Sequence, residues 1–561
     1  MIRKLGERLD SMPDDEELRL ATAEMCEDMA EEIAATDPAR AIGLYCAAAE
    51  TAFPVITRRH GSVSIRSELI DIYNESCAEA AVLFYRTAPR FEDAVSFDGP
   101  FHSYRIEVSE KGRGLVSPGG FDQMHSASVL RVKGFGRRQR LDGVGGALVG
   151  YKAASAERLE ANPFMSPFGM AEPITATIDF TDSDRAKLRF HDVLVDDRAY
   201  LAGRSVALAA DFTASLATLE AHEPKENIGW RGMLHPDQCR AYQGLYLLHD
   251  RQPGKIPLVL VHGLMSSPDT WRDAVAELSA DPVLRENYQI LLYEYPTGFP
   301  IPHNASGLRH YLTKFGRTFD PDGKDPSMRR TVIVGHSMGG LLASMQIRHG
   351  GKSFWLSLRK SGAGGIEGDD GSARSREALK EMVYFEPLPS VSRAIFVCAP
   401  HRGSGWADNP LGALGAFLAD KPFEVFDVAG SALGGDPLQA VELTGEENLL
   451  ETSLLYHPSN GIRDLHAHSE VLETVAGLPV GEGIRIHSII GNRGRAAPRE
   501  SSSDGVVEYW SSHLEGAESE RMVPSGHVGA TRSEETIDEL RRILYLHIGR
   551  RFPVETAASA R

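Results

Sequence analysis

The sequence predicts an α/β domain built on a mostly parallel sheet, preceded by an α-helical region and a β-rich domain. Three observations predict it. The first 90 residues show apolar positions at helical spacing, and residues from about 95 to 222 show short alternating segments separated by turns. From about 230 onward, buried apolar strands alternate with helices, which argues for parallel strands joined by right-handed crossovers. The expected boundaries are 1–92 for the helical region, 93–225 for a sandwich-like β-rich domain and 230–561 for the α/β domain.

The chain has 561 residues, 42% hydrophobic and 25% charged, which suits a globular protein with a sizeable core. A formal charge of −18 repels nucleic acid and anionic membranes, so no nucleic-acid partner is expected. The five cysteines are scattered, with no CxxC, and read as reduced buried thiols. Two early basic residues are followed by no apolar run, and no stretch reaches the ~20 residues of a membrane helix. The expectation is a cytoplasmic protein without a transmembrane segment.

In the helical region, Leu18, Leu20, Met25, Met29 and Ile33 mark one helix. Asp37-Pro38 is an N-cap followed by proline at the first helical position, opening a second through Ala41, Ile42, Leu44 and Tyr45. A third runs from about Ser67 to Arg86. This region is read as a helical packing module or a docking site for a protein partner. In the β-rich region the expected strands are HSYRIEV, ASVLRVKGF, ITATIDF, AKLRFHDVLVDD and RSVALAADFTASLATLEA. The basic stretch Arg131 to Arg140 reads as a solvated loop, and the glycine-rich run Gly143 to Gly150 lacks the spacing of a dinucleotide fingerprint.

The α/β region opens with the apolar run IPLVLVHG, then a helix at about Thr270 to Ala280. The strands QILLYEYPTG, RTVIVGHS, SRAIFVCAP and IRIHSIIGN follow, and a last helix spans about Ser533 to Ile548. The sharpest motif is Gly335-His336-Ser337-Met338-Gly339. Four β-formers, Thr331 to Val334, lead into it, and a helix-compatible run from Leu341 to Met345 leads out. That is the strand–turn–helix context of a nucleophilic serine held on a tight turn. Gly203-Arg204-Ser205-Val206-Ala207 lies in the β-rich region and lacks the second glycine.

A serine nucleophile needs a base, and the base an orienting carboxylate. In such folds the chain order is Ser, acid, His. Asp504, in a polar loop after IRIHSIIGN, and His527, in the loop before the last helix, fit that order. His401, His487 and His513 are the competing histidines, and Asp408 and Asp427 the fallback acids. Oxyanion stabilisation needs backbone N–H groups aimed at the developing charge. The N–H of Met338 is one candidate, and the loop Val261 to Met265, through Leu264, supplies the other. No metal or cofactor is implied: Asp320 to Asp325 looks like a calcium loop, but Pro321 intrudes and Thr331 stands at the twelfth position.

Residues 255–550 resemble the α/β-hydrolase superfamily, and within it the lipase-like serine esterases. The resemblance is carried by VHGL, YPTG, GHSMGG, APHRGS, SSDGVV and SGH. It implies an α/β-hydrolase catalytic domain with a Ser337-His527-Asp504 triad, an oxyanion hole of Leu264 and Met338, and an ester or lipid-like small-molecule substrate cleaved through an acyl-enzyme. Acyl transfer or thioester cleavage on the same triad, and a non-catalytic interaction protein, are the alternative readings. Two inserts interrupt the region. Residues 361–374 read as a glycine- and aspartate-rich loop. Residues 409–437, with Leu411, Leu414 and Phe417, read either as a cap over an acyl pocket or as an ordinary buried helix.

Overall fold

The computed structural model describes residues 2–57, 62–88, 91, 93–110, 112–182, 185–223, 233, 236–358, 382–405, 465, 467, 469–493 and 498–553. The expected cap at 409–437, the loop at 361–374, Asp408 and Asp427 lie outside the described residues. The chain divides into two compact units: Met1–Glu223 with Ala276–Glu286, and Pro224–Val275 with Asn287–Arg561. Among the described residues, no helix is long and apolar enough to cross a membrane.

In the first unit the helices Glu16–Ile33 and Pro38–Ala52 begin where the sequence caps them. The Asp15 carboxylate accepts the N–H of Leu18, and Asp37 that of Arg40. Pro38–Ala52 is buried along almost its whole length, and its alanines let neighbouring helices approach closely. The long helix Val63–Thr87 then ties the bundle to a sheet, with the Tyr73 hydroxyl donating to the Ile178 carbonyl at 2.8 Å.

That sheet has six strands in the order Val95–Asp98, Ser103–Val108, Arg185–Asp192, Met170–Asp182, Gly146–Lys152 and Gln123–Ser126. All neighbours are antiparallel except Ser103–Val108 beside Arg185–Asp192. Side-chain alternation sends Leu148, Ile174, Ala176 and Ile178 into one core with the N-terminal helices. Val149, Tyr151 and Ala171 go to the other face, where Ala214 meets them. Ala214 belongs to the helix Phe212–His222. Helices therefore pack on both faces, and among the described residues the remaining strands of this unit form only two two-stranded pairs, Arg140–Leu141 with Ala210–Asp211 and Arg198–Leu201 with Arg204–Ala207, in place of the second sheet of the expected sandwich.

Two segment readings explain this correction. RSVALAADFTASLATLEA was expected as one strand, yet only Arg204–Ala207 and Ala210–Asp211 are extended. Asp211 accepts the N–H of Ala214 at 2.8 Å and starts a helix there, which the alanines, leucines and glutamate that follow favour. ASVLRVKGF forms no strand. Its basic continuation is held by Asp211, whose Oδ2 accepts from Arg138 at 2.6 Å and Arg140 at 3.0 Å. The glycine-rich run at 143–150 supplies most of a central strand instead.

The second unit holds a seven-stranded sheet in the order Gly244–Leu247, Tyr288–Glu294, Ile256–Val261, Thr331–His336, Val391–Val397, Arg485–Gly491 and Ser519–Val523. Only Gly244–Leu247 runs antiparallel. Ile256–Val261 and Thr331–His336 are buried at every position, as the inner strands of a parallel sheet should be. Both outermost strands escaped the sequence reading. Ser519–Val523, in particular, opens with three polar residues, Ser519, Glu520 and Arg521, and so offers no apolar run to mark it. The final helix, Glu534–His547, starts at the Ser533 cap close to its expected position. In the calcium-like loop, Asp320 accepts the backbone N–H groups of Lys324 and Asp325.

The first unit contains a carboxyl that works against it. Burial pushes Glu27 up to about 8, assisted by Glu75, Glu31 and Asp28 and opposed by a hydrogen bond from Ser76. The native chain therefore keeps a proton that the unfolded chain releases between its ordinary value of 4.5 and about 8. Across that window the native state binds more protons, so stability falls as pH rises. Glu27→Gln is expected to raise the melting temperature, with a gain that grows from pH 5 to pH 8 in about the same window. Thermal melts of both proteins across that range check it, and a gain independent of pH would refute the assignment.

Candidate active site

The strand Thr331–His336 ends in a turn that puts Ser337 at φ 53° and ψ −126°, a strained conformation for a residue with a side chain. Glycine at 339 is required by a close approach: a β-carbon there would lie 2.2 Å from the His262 carbonyl oxygen. The helix Met338–Gln346 follows directly.

Ser337 meets the two residues expected downstream. Its Oγ lies 2.9 Å from Nε2 of His527, and Nδ1 of His527 lies 2.7 Å from Oδ2 of Asp504. The other carboxylate oxygen of Asp504 accepts the N–H groups of Val506 and Val507 at 2.8 and 2.7 Å. These partners fix the tautomer: Nδ1–H donates to the carboxylate, and Nε2 is left to accept from the serine. Exposure is 1% for Asp504, 7% for Ser337 and 8% for His527. Burial alone would raise the Asp504 carboxyl, but the charge and hydrogen bond of His527 and the two N–H groups outweigh it and hold it below the ordinary carboxylate value.

The loop after Ile256–Val261 lies against the serine, since a β-carbon on Gly263 would stand 2.9 Å from Cβ of Ser337. Leu264 follows in that loop. The loop is fixed by Tyr295, whose hydroxyl donates to the His262 carbonyl at 2.7 Å, and by Thr297, which accepts the Met265 N–H at 3.3 Å. Met338 is the first residue of its helix, so its N–H has no carbonyl one turn earlier to bond.

The competing residues are engaged elsewhere. His513 pairs with Glu520 at 2.6 Å, and His487 with Ser519 at 2.7 Å and with Arg393. His401 packs edge-on against Phe396. Ser205 lies on a β-hairpin and accepts from Arg198 at 2.9 Å.

Several side chains around the site went unnoticed in the sequence. His336 donates from Nε2 to the backbone carbonyl of His527 at 3.0 Å. Burial first, then the neighbouring His527, pushes it down to about 3, so it is a neutral strut. Arg493 donates to the Asp504 carbonyl at 3.0 Å. In the APHRGS segment, Arg402 donates from Nη1 to the carbonyls of Trp510 and His513 at 2.9 and 2.6 Å, and Ser404 donates to that of Val506. This segment therefore clamps the loop that carries the acid. His336 could have been suspected from its place inside the motif; Arg493 and Arg402 carry no local signal.

The sequence profile of the Alpha/beta hydrolase family matches residues 258–539. No curated protein matches the sequence. Among solved structures, the mature form of a Bacillus licheniformis lipase is similar at 15% identity, covering 54% of this chain and 98% of its own, with a TM-score of 0.30. Staphylococcus hyicus lipase is similar at 15% identity, with 54% and 96% covered and a TM-score of 0.31. Lipase 1 from Pelosinus fermentans is similar at 14% identity, with 54% and 100% covered and a TM-score of 0.32.

Gly491 provides a test of how tightly the acid is seated. A β-carbon there would lie 2.7 Å from Cβ of Asp504 and 2.9 Å from the Ser525 carbonyl oxygen. Gly491→Ala is expected to cost about 1–3 kcal/mol of stability through overpacking. It should also abolish the far-downfield proton resonance of the His527 Nδ1–H···Asp504 bond. Retention of that resonance at unchanged stability would show that the acid loop has slack.

Proposed function

The chain belongs to the alpha/beta hydrolase family, and from that premise we propose that it is a serine hydrolase of carboxylic esters with a small-molecule substrate. The observation that carries the reading is the continuous hydrogen-bond chain from Ser337 through His527 to Asp504, 2.9 and 2.7 Å long at its two links.

In this mechanism, Nε2 of His527 takes the Ser337 proton as Oγ attacks the ester carbonyl carbon. Asp504, ionised and hydrogen-bonded, stabilises the imidazolium and holds its orientation. The tetrahedral oxyanion is received by the N–H groups of Met338 and Leu264. Collapse expels the alcohol, which takes the proton from His527, and leaves Ser337 acylated. Water activated by the same imidazole then releases the acid.

Two measurements test this reading: hydrolysis of p-nitrophenyl esters of increasing chain length, and covalent labelling by a fluorophosphonate. Ser337→Ala should lose both. His527→Ala and Asp504→Asn should each lose about 10⁴-fold in kcat. Labelling that survives Ser337→Ala, or full activity in His527→Ala, would overturn the assignment.

A further inference from the structure

One side chain beside the triad, the Cys398 thiol hydrogen-bonded to Asp504, takes no part in the proton transfers of ester hydrolysis. Cys398 immediately follows the strand Val391–Val397. It is fully buried and has φ 51°, a strained conformation for a non-glycine residue. Its Sγ, a carboxylate oxygen of Asp504 and a ring nitrogen of His527 all lie within 4.8 Å of one another. Gly491 leaves room for this meeting: a β-carbon there would stand 3.1 Å from Sγ. Among the described residues this is the only group of three His, Cys, Asp or Glu side chains whose ligand atoms converge in this way.

Thiolate, imidazole and carboxylate are donors that zinc takes in tetrahedral sites, at about 2.3 Å for sulfur and about 2.0–2.2 Å for nitrogen and oxygen. We propose that Cys398, Asp504 and His527 form an inhibitory zinc site that competes with the catalytic hydrogen-bond chain. Two anionic ligands neutralise the dication, which suits a buried position. Coordination breaks the Cys398 S–H bond and forms a zinc–thiolate bond. The metal replaces the proton on Nδ1 of His527, and the ring keeps its one proton on Nε2. One proton is released in all, from the thiol. With Nε2 protonated, the imidazole cannot accept from Ser337, so zinc lowers kcat and leaves KM unchanged. The inhibition rests on the triad reading; the binding does not.

The test uses the full chain and cobalt(II) as a spectroscopic stand-in for zinc. A thiolate-to-cobalt charge-transfer band should appear in wild type and in Ser337→Ala, and zinc should displace it. The band should vanish in Cys398→Ser, and its affinity should fall at least about tenfold in Asp504→Asn, which keeps the test open if the first variant does not fold. Zinc should suppress ester turnover by wild type, reversibly on chelation, and Cys398→Ser should resist zinc relative to its own zinc-free rate. No band in wild type would overturn the proposal. So would a band that persists in Cys398→Ser, since it would then come from the other buried thiols, Cys26, Cys46, Cys77 or Cys239. A band that depends on Cys398 in a chain that cleaves no ester would uphold the metal site and refute the ester reading.

Discussion

The contact between Gly339 and the carbonyl of His262 governs the rest of the site. With 2.2 Å between that oxygen and the place of a β-carbon, only glycine lets the helix after Ser337 start where it does. That approach seats the turn at Ser337 on the loop after the neighbouring strand. It brings Gly263 against Ser337 and sets Leu264 close by in the chain. The helix start and the loop after Ile256–Val261 are thus two sides of one packing contact.

The opposite side of Ser337 is organised by charge. A carboxylate buried to the extent of Asp504 would ordinarily take up a proton, because desolvation penalises the charged form. Here three hydrogen bonds, from His527, Val506 and Val507, reverse that tendency. Those bonds work only while the two loops stay in register. Arg493, Arg402 and His336 maintain the register by donating to backbone carbonyls of the loops, a task that charged or ring N–H donors perform without competing for the carboxylate.

Legibility in the sequence follows the range of the interaction. The inner strands announce themselves as unbroken apolar runs, and Ser337 by a motif read within ten residues. Asp504 and His527 could be named because chain order and loop position constrain them. The edge strands Gly244–Leu247 and Ser519–Val523 were missed because they are short and the second opens with three polar residues. The helix Phe212–His222 was misread because it was taken as the continuation of the extended run Arg204–Ala207, past the cap at Asp211. Arg493, Arg402 and Cys398 could not be read at all, since what each touches is set by how separate strands pair in the sheet.

Strain shows the same division of labour. Among the described residues, four non-glycine positions have positive φ, and three of them are Met265, Ser337 and Cys398. Each follows the carboxyl end of one of three adjacent parallel strands, Ile256–Val261, Thr331–His336 and Val391–Val397. At about 1–3 kcal/mol apiece, such residues together cost a sizeable part of a domain's ~5–15 kcal/mol of stability. They are tolerated because the strands beneath them are buried and hydrogen-bonded on both sides, so the sheet leaves the backbone no cheaper path. Strain gathered at one edge of an otherwise regular sheet holds polar groups in place before any substrate arrives, and a preorganised edge of this kind does not have to reorganise as charge develops.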